Sequence, residues 1–556
     1  MDDITSYQQQ MAARVSEEQE AFPATPTQED IGLDFIRDCL HNEERGDGIM
    51  FSRMQRDKFI LVKNWGKDGQ WLSWGGNHWI EDKLDLAHDA VEQIAQQYLR
   101  YSISMEADIK ELAIEVSVAE RALQDLQKQD TPDISEIDRL SASKHKAANK
   151  LGKLRGEQKK AQARVDKLRR MGGAVNCLSW SHRIGSQSLS ILGEEIDRNP
   201  WLLPCPNGVL DLRTLKFQPG RPADYLLKSI AVPWQGIDAP APTWDAFFNE
   251  IHLEDSEVVA YLYRLFGYAL TGLTTEHFLG FFLGEGRNGK GTMFEFLRYL
   301  MGDLGWAISP ELLLEQKSAR NSSGPSADLM SLHGRRIVIA SESDENRRIS
   351  LARVKQLTGA DTITARAPHD RMETNISPTW KLFFYTNHVP SNIARDFAMR
   401  QRLVYLKYPL KFVDNPDPHD PYQRPKNTQL PDKLREEAPG ILARFVRGCI
   451  EWQEMGGLHP PAKIRADVEE LARTQDTFQQ FFSEWIREEP GQYIAFKELY
   501  DRFSAWFDDE IGGQDKYRPT KMSVSKWLDK RGLDRRKPSG IATVYGIRFA
   551  APHELC

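Results

Sequence analysis

Apolar residues recur at three- and four-residue steps through two long stretches with a short break between them. Ile109, Leu112, Val116, Ala119, Leu123 and Leu126 mark the first stretch. Ile137, Leu140, Ala147, Leu151, Leu154, Ala161, Val165 and Leu168 mark the second, and Thr131-Pro-Asp133 lies between. That period predicts a helical hairpin over 105–170. Residues 1–30 are polar, rich in Gln and Glu, and predict a tail with no packed core. Residues 31–104 carry Trp65, Trp71, Trp74 and Trp79 among short apolar runs, a pattern for a small α+β module. Those tryptophans either fill a core or stack on bases. Helical spacing returns at 243–275; a polar, flexible loop at 318–326 and a proline- and aspartate-rich excursion at 409–425 follow. Helix resumes at 430–455. Over 475–556 three amphipathic helices precede a turn and a strand, the winged-helix order.

Three apolar runs, at 278–283, 337–340 and 380–386, are too short for helices and read as buried parallel strands. The first leads into Gly284-Glu-Gly-Arg-Asn-Gly-Lys-Gly-Thr292, which opens a helical pattern. A strand that turns through glycines into a helix is the context of a phosphate-binding loop. Gly284, Gly286 and Gly289 let backbone N–H groups approach phosphate oxygens, with Arg287, Asn288 and Gly291 completing the loop. Lys290 can reach the terminal phosphates of ATP. Gly291 stands where such loops usually carry Ser or Thr, so Thr292 is the candidate Mg²⁺ ligand. The second run ends at Ser341-Glu342, with Glu345 behind. Glu342 can hold Mg²⁺ and polarise the attacking water. The third ends at Asn387, an amide placed to orient that water. Arg400 and Arg402 precede a further strand at 403–406 and are candidates for stabilising transition-state charge, on a neighbouring subunit's nucleotide.

Phosphate loop, acidic strand end, polar strand end and arginines follow in this order between residues 284 and 402. The set resembles the superfamily 3 helicases, in particular the phage/plasmid primase-helicase group with its poxvirus relatives. Val354-Lys-Gln-Leu-Thr-Gly-Ala-Asp-Thr-Ile-Thr-Ala-Arg366 is similar to the family segment that builds a DNA-contacting hairpin. Pro206-Asn-Gly-Val-Leu-Asp-Leu212 and 430–442 also match, so the likeness covers most of 180–550 and leaves the 105–170 hairpin outside it. The resemblance implies a P-loop, AAA+-like ATPase core with a helical collar, working as a homo-hexamer on single-stranded and forked DNA. It implies DNA contacts at Lys355, Arg366, His369 and Arg371. Gln401-Arg402 stands where the family often has Arg-Arg, which favours Arg402 over Arg400 as the finger.

The fold expected is therefore multidomain α/β. It comprises a tail (1–30), a Trp-rich module (31–104), a helical hairpin (105–170), a family region with collar (171–275), the ATPase core with lid (276–455) and a winged-helix-like domain (475–556). Net charge is −7, so nucleic-acid binding must rest on local patches. Lys521, Lys526, Arg535 and Arg536 form one in the last domain. The basic second arm of the hairpin is either a solvated face or a DNA- or partner-binding arm. Five scattered cysteines argue against a zinc ribbon and for a reducing compartment, and a cytoplasmic protein without a membrane span is expected. The first 180 residues show no paired-aspartate strand of the kind priming needs, so a separate primase or initiator is the expected partner. Three classes of function fit: a replicative helicase, an ATP-switched initiator or loader, and a non-motor ATPase.

Overall fold

In the computed structural model the described residues are 31–556 apart from 129, 131–132, 316–325, 342–347, 367–373, 391, 395, 476, 511–517, 552–553 and 555–556. The described residues fall into two compact units, 31–75 with 79–196, and 76–78 with 197–556.

The first unit runs α1 (Leu33–His41), α2 (Glu43–Gln55), β1 (Phe59–Val62), β2 (Gln70–Trp74), β3 (Trp79–Glu81), α3 (Val91–Ser104), α4 (Glu106–Gln127), α5 (Ile134–Leu168), α6 (Met171–Ser181) and β4 (Ser190–Ile191). The strands form one sheet in the order β3-β2-β1-β4. Trp79 is buried edge-on against Trp74, and Trp71 packs edge-on against Phe51, so these rings serve the core. The helical hairpin is present as α4 and α5. Asp133 caps α5 by accepting from Ser135 and Glu136 N–H groups. One buried ion pair fastens the long arm to the module: Arg164 Nε donates to Asp47 at 3.0 Å, and Tyr98 donates to the same oxygen. Burial pushes the Asp47 carboxyl up, against the pull of Arg164.

The second unit begins with a three-stranded sheet, β5 (Leu202–Cys205), β6 (Gly208–Asp211) and β7 (Phe217–Gln218), followed by α7 (Pro242–Ile251) and α8 (Ser256–Ala269). Next come β8 (Leu279–Leu283), α9 (Lys290–Met301), β9 (Gly305–Ile308), β10 (Ile337–Ser341), α10 (Leu351–Leu357), the pair β11 (Ile363–Ala365) and β12 (Thr374–Ile376), β13 (Lys381–Thr386) and β14 (Leu403–Lys407). Five of these strands make a wholly parallel sheet in the order β14-β8-β13-β10-β9. The edge strand β9 was not read from the sequence. α11 (Leu430–Glu436) and α12 (Ala438–Met455) return to pack on α7 and α8. Glu437 accepts from the N–H groups of Thr243 and Trp244 at 3.0 Å each, and Arg444 grips Asp245. The collar and lid segments are thus one helical layer, and Trp244, Phe248 and Phe445 fill it.

Two buried cations brace that layer to the entry edge of the sheet. Lys381, at the start of β13, donates to the Thr271 carbonyl; Arg336, before β10, donates to those of Leu270 and Leu202. They satisfy carbonyls at the C-terminus of α8, where positive charge is favoured. Burial holds Lys381 well below its usual range and Arg336 at about 10.

The last segment is α13 (Thr477–Trp485), β17 (Ile486–Ala495), α14 (Phe496–Glu510), α15 (Lys521–Lys530), β18 (Arg535–Arg536) and β19 (Thr543–Phe549), after a small parallel pair β15 (Lys411–Val413) and β16 (Gln423–Pro425) earlier in the chain. The three expected helices stand where they were read. β17, interrupted around Pro490-Gly491, was missed; it joins a sheet ordered β17-β19-β18.

Candidate nucleotide site

β8 ends at Leu283 and α9 begins at Lys290, so the glycine-rich loop lies at the C-terminal edge of the parallel sheet. Register places Leu283 beside Thr386 of β13, and Tyr385 beside Ser341 of β10. The phosphate loop, Asn387 and the end of β10 therefore share one edge, the edge where open α/β sheets bind ligands. Asn387 is exposed there. Glu342 and Glu345, one and four residues beyond Ser341, lie outside the described residues.

The loop backbone is wound left-handed at Gly286 (φ 94°), Arg287 (φ 51°) and Gly289 (φ 85°). Successive residues of that kind turn N–H groups toward one concavity. Among the described residues, no acceptor takes the N–H groups of Gly289, Gly291 or Thr292, the first donors of α9. A Cβ on Gly284 would stand 2.2 Å from the Asn288 amide nitrogen and 2.6 Å from the Tyr408 carbonyl oxygen, so only glycine fits. Lys290 is 3% exposed, and its ammonium folds back to donate to the Gly284 carbonyl. Thr292 is half-buried on the first turn of α9. Orphan donors, a glycine-only wall and a buried ammonium fit a polyphosphate; with it, Thr292 and Glu342 would be the residues to hold Mg²⁺.

Below the loop runs a connection that the sequence did not disclose. His252, at the end of α7, is fully buried; its Nδ1 donates to the Phe248 carbonyl at 2.6 Å and its Nε2 accepts from the Tyr408 hydroxyl at 2.7 Å. Tyr408 in turn donates its N–H to Leu283 and accepts from the Asn288 amide. Burial disfavours the charged ring and lowers its pKa to about 4, which leaves the imidazole neutral with Nε2 free to accept.

Arg400 and Arg402 lie elsewhere. Leu403 pairs with Leu279 in register, and the Leu279 N–H donates to the Arg402 carbonyl at 2.7 Å. Arg402 thus sits at the opposite end of the sheet from Gly284, roughly 16 Å away for five residues at 3.3 Å each. Each guanidinium bonds a nearby carbonyl, Ala394 for Arg400 and Ala398 for Arg402, while both Nε atoms are buried without an acceptor among the described residues.

β11 and β12 form the expected hairpin base, with Ile363 opposite Ile376 and Ala365 opposite Thr374. Arg366 leaves it bonded through its backbone to Ser326, and His369 and Arg371 lie outside the described residues. Lys355 points elsewhere. It makes a 2.7 Å ion pair with Asp396, whose carboxyl, though raised by burial, is held low by that ammonium and by the Met399 N–H. In the last domain Lys526 is exposed with no ion pair among the described residues, and Lys521 lies over the Tyr500 ring. Arg535 is held by Asp529 through two bonds and Arg536 by Asp534, so two of the four cations are already paired within the chain.

The sequence pattern of a family described as "D5 N terminal like" matches residues 48–253, and that of a family of unknown function matches residues 282–402. The first match includes most of the Trp-rich module, from residue 48, and the helical hairpin, which the resemblance read from the sequence had left out. A candidate helicase of Acanthamoeba polyphaga mimivirus is 25% identical over 366 residues, 64% of this chain and 37% of that protein. A candidate primase of African swine fever virus is 22% identical over 360 residues, 62% and 36% respectively. These matches make the chain similar to primase-helicase-like proteins of large DNA viruses. A candidate helicase of Invertebrate iridescent virus 6 is 23% identical over 397 residues, 63% of this chain and 41% of the relative. The chain thus spans about two-fifths or less of the length of these relatives. Solved structures of the NrS-1 C terminal region cover 55% of this chain and 76% of theirs at 13% identity, with a TM-score of 0.33, too slight a likeness to decide more. Among the described residues no helix is long and apolar enough to cross a membrane.

Proposed function

We propose that this protein is an ATP-dependent replicative DNA helicase of a phage, plasmid or other mobile element, translocating on single-stranded DNA as a ring. The observation that carries the reading is the shared sheet edge, where the glycine loop, Asn387 and the strand leading to Glu342 converge. The core is AAA+-like on this reading, with strands ordered fifth-first-fourth-third-second by chain position. Mg²⁺ supplies charge neutralisation between the phosphates when bound. Gly284 to Thr292 cradle the phosphates, Lys290 leaves the Gly284 carbonyl for the terminal phosphate, and Glu342 with Asn387 positions the attacking water. Glu345 supports that acidic end. Arg402, too far to serve its own loop, is assigned to a neighbour's nucleotide, with Arg400 beside it; their unsatisfied Nε atoms support that role. The hairpin carrying Arg366, His369 and Arg371 is assigned to the DNA, and Lys526 of α15 to phosphate contact.

A second reading, an ATP-switched initiator or loader, is favoured by the winged-helix-like order of the last domain and by the exposed Lys526. A separate primase is the partner proposed for either. ATPase stimulation by single-stranded DNA, then strand displacement on a fork, tests the assignment. Stimulation without displacement selects the switch, and neither result leaves a non-motor ATPase.

A further inference from the structure

The helical hairpin of the first unit is sorted by charge. Residues 139–170 hold twelve Lys and Arg against two Asp and Glu, whereas α4 holds six acids against two bases. Its seam is apolar: Leu112 of α4 packs on Ala147 and Leu151 of α5. Some of the bases are consumed locally. Lys144 bonds Glu120 across the arms, Arg164 bonds Asp47, Lys167 bonds Glu44 and Arg169 bonds Glu92. Four are not. Lys146, Lys150, Lys153 and Lys160 are exposed and make no ion pair among the described residues. Steps of four, three and seven residues place them along one face of α5, a row roughly 21 Å long at 1.5 Å per residue.

Neighbouring lysines on one helix face repel one another, and a surface made only for solubility gains nothing from segregating its signs. The whole chain is acidic, so the row is a local construction. The competing partner is a second copy's acidic arm: at about 100° per residue Asp108, Glu111, Glu115 and Asp125 of α4 fall within one 100° arc, so such a contact would need the two rows in register. A nucleic-acid backbone, by contrast, is a continuous row of charge that needs no side-chain register.

The geometry points to the Lys146–Lys150–Lys153–Lys160 face of α5 as a second nucleic-acid contact, one that takes the phosphate backbone and lies outside the ATPase unit. It stands apart from the helicase reading, since it predicts binding without nucleotide.

The test uses the full chain without ATP, with all four lysines replaced by Gln in one variant and by Arg in another. Affinity for a labelled thymidine oligomer and for a duplex of equal length is followed against salt. The Gln variant should lose about 3 from the slope of log affinity on log salt for the single strand, or about 3.6 for the duplex, whichever is the natural ligand. The Arg variant should keep the parent slope, and basal ATPase should be unchanged in both. Unchanged slopes on both nucleic acids in the Gln variant would overturn the proposal. So would a fall in oligomer size with that variant, or equal weakening by Glu111→Gln with Glu115→Gln, because either would mean that the arms of two copies recognise each other.

Discussion

The Gly284 N–H donates to the Thr386 carbonyl at 3.2 Å, tying the first residue of the phosphate loop to the last residue of the strand before Asn387. On the proposed function, the loop that would grip the nucleotide and the amide that would position the water share this one anchor point. A shift of either strand moves both.

Loss of the loop's charge should separate binding from hydrolysis. Lys290→Ala removes a buried charged donor, and ATP affinity should fall about 10- to 100-fold, the worth of one charge-assisted hydrogen bond. Glu342→Gln should bind ATP normally and stop turnover. Equilibrium binding of a fluorescent ATP analogue beside phosphate release reads both; wild-type turnover in Glu342→Gln would move the acid elsewhere.

Arg402→Ala subunits should bind ATP yet fail to hydrolyse it. Mixed with Lys290→Ala subunits they should regain activity, since some interfaces then pair an intact loop with an intact arginine. Mixed assemblies that form and remain inactive would remove Arg402 from the reaction.

The buried His252 predicts acid sensitivity. Its folded pKa of about 4 lies below the model-peptide value of 6.5, so between these pH values the unfolded chain binds the extra proton. Stability should be full above pH 6.5 and decline as pH falls toward 4, by roughly 3 kcal/mol from this group. His252→Gln should flatten that part of the curve in denaturant titrations. An unaltered pH profile in a folded variant would show that His252 does not carry the dependence.

Replacing Arg366 and Arg371 by Ala should weaken single-strand binding alike for every sequence and reduce the salt slope by about 1.4, two contacts at 0.7 each. Basal ATPase should persist while its stimulation by DNA falls. A folded variant with the parental slope and full stimulation would confine the hairpin to packing.

Much of the architecture was legible because local patterns dictate it. The 3.6-residue period of Leu112 to Leu168 needs only a helix to bury it, and Gly284 to Lys290 needs only a strand before and a helix after. The α15 helix was readable from Thr520, whose hydroxyl accepts from the Ser523 N–H and caps it. What tertiary structure alone decided is which groups meet across long separations. Strand order placed Arg402 at the far end of the sheet from its own loop, a fact no spacing encodes. Packing gave Lys355 an ion pair with Asp396 and Arg535 one with Asp529. His252 and Tyr408, 156 residues apart, meet only because α7 and the chain after β14 close on the same side of the phosphate loop. Period and composition act over a few turns of chain; charge pairing and burial depend on which surfaces the fold brings into contact.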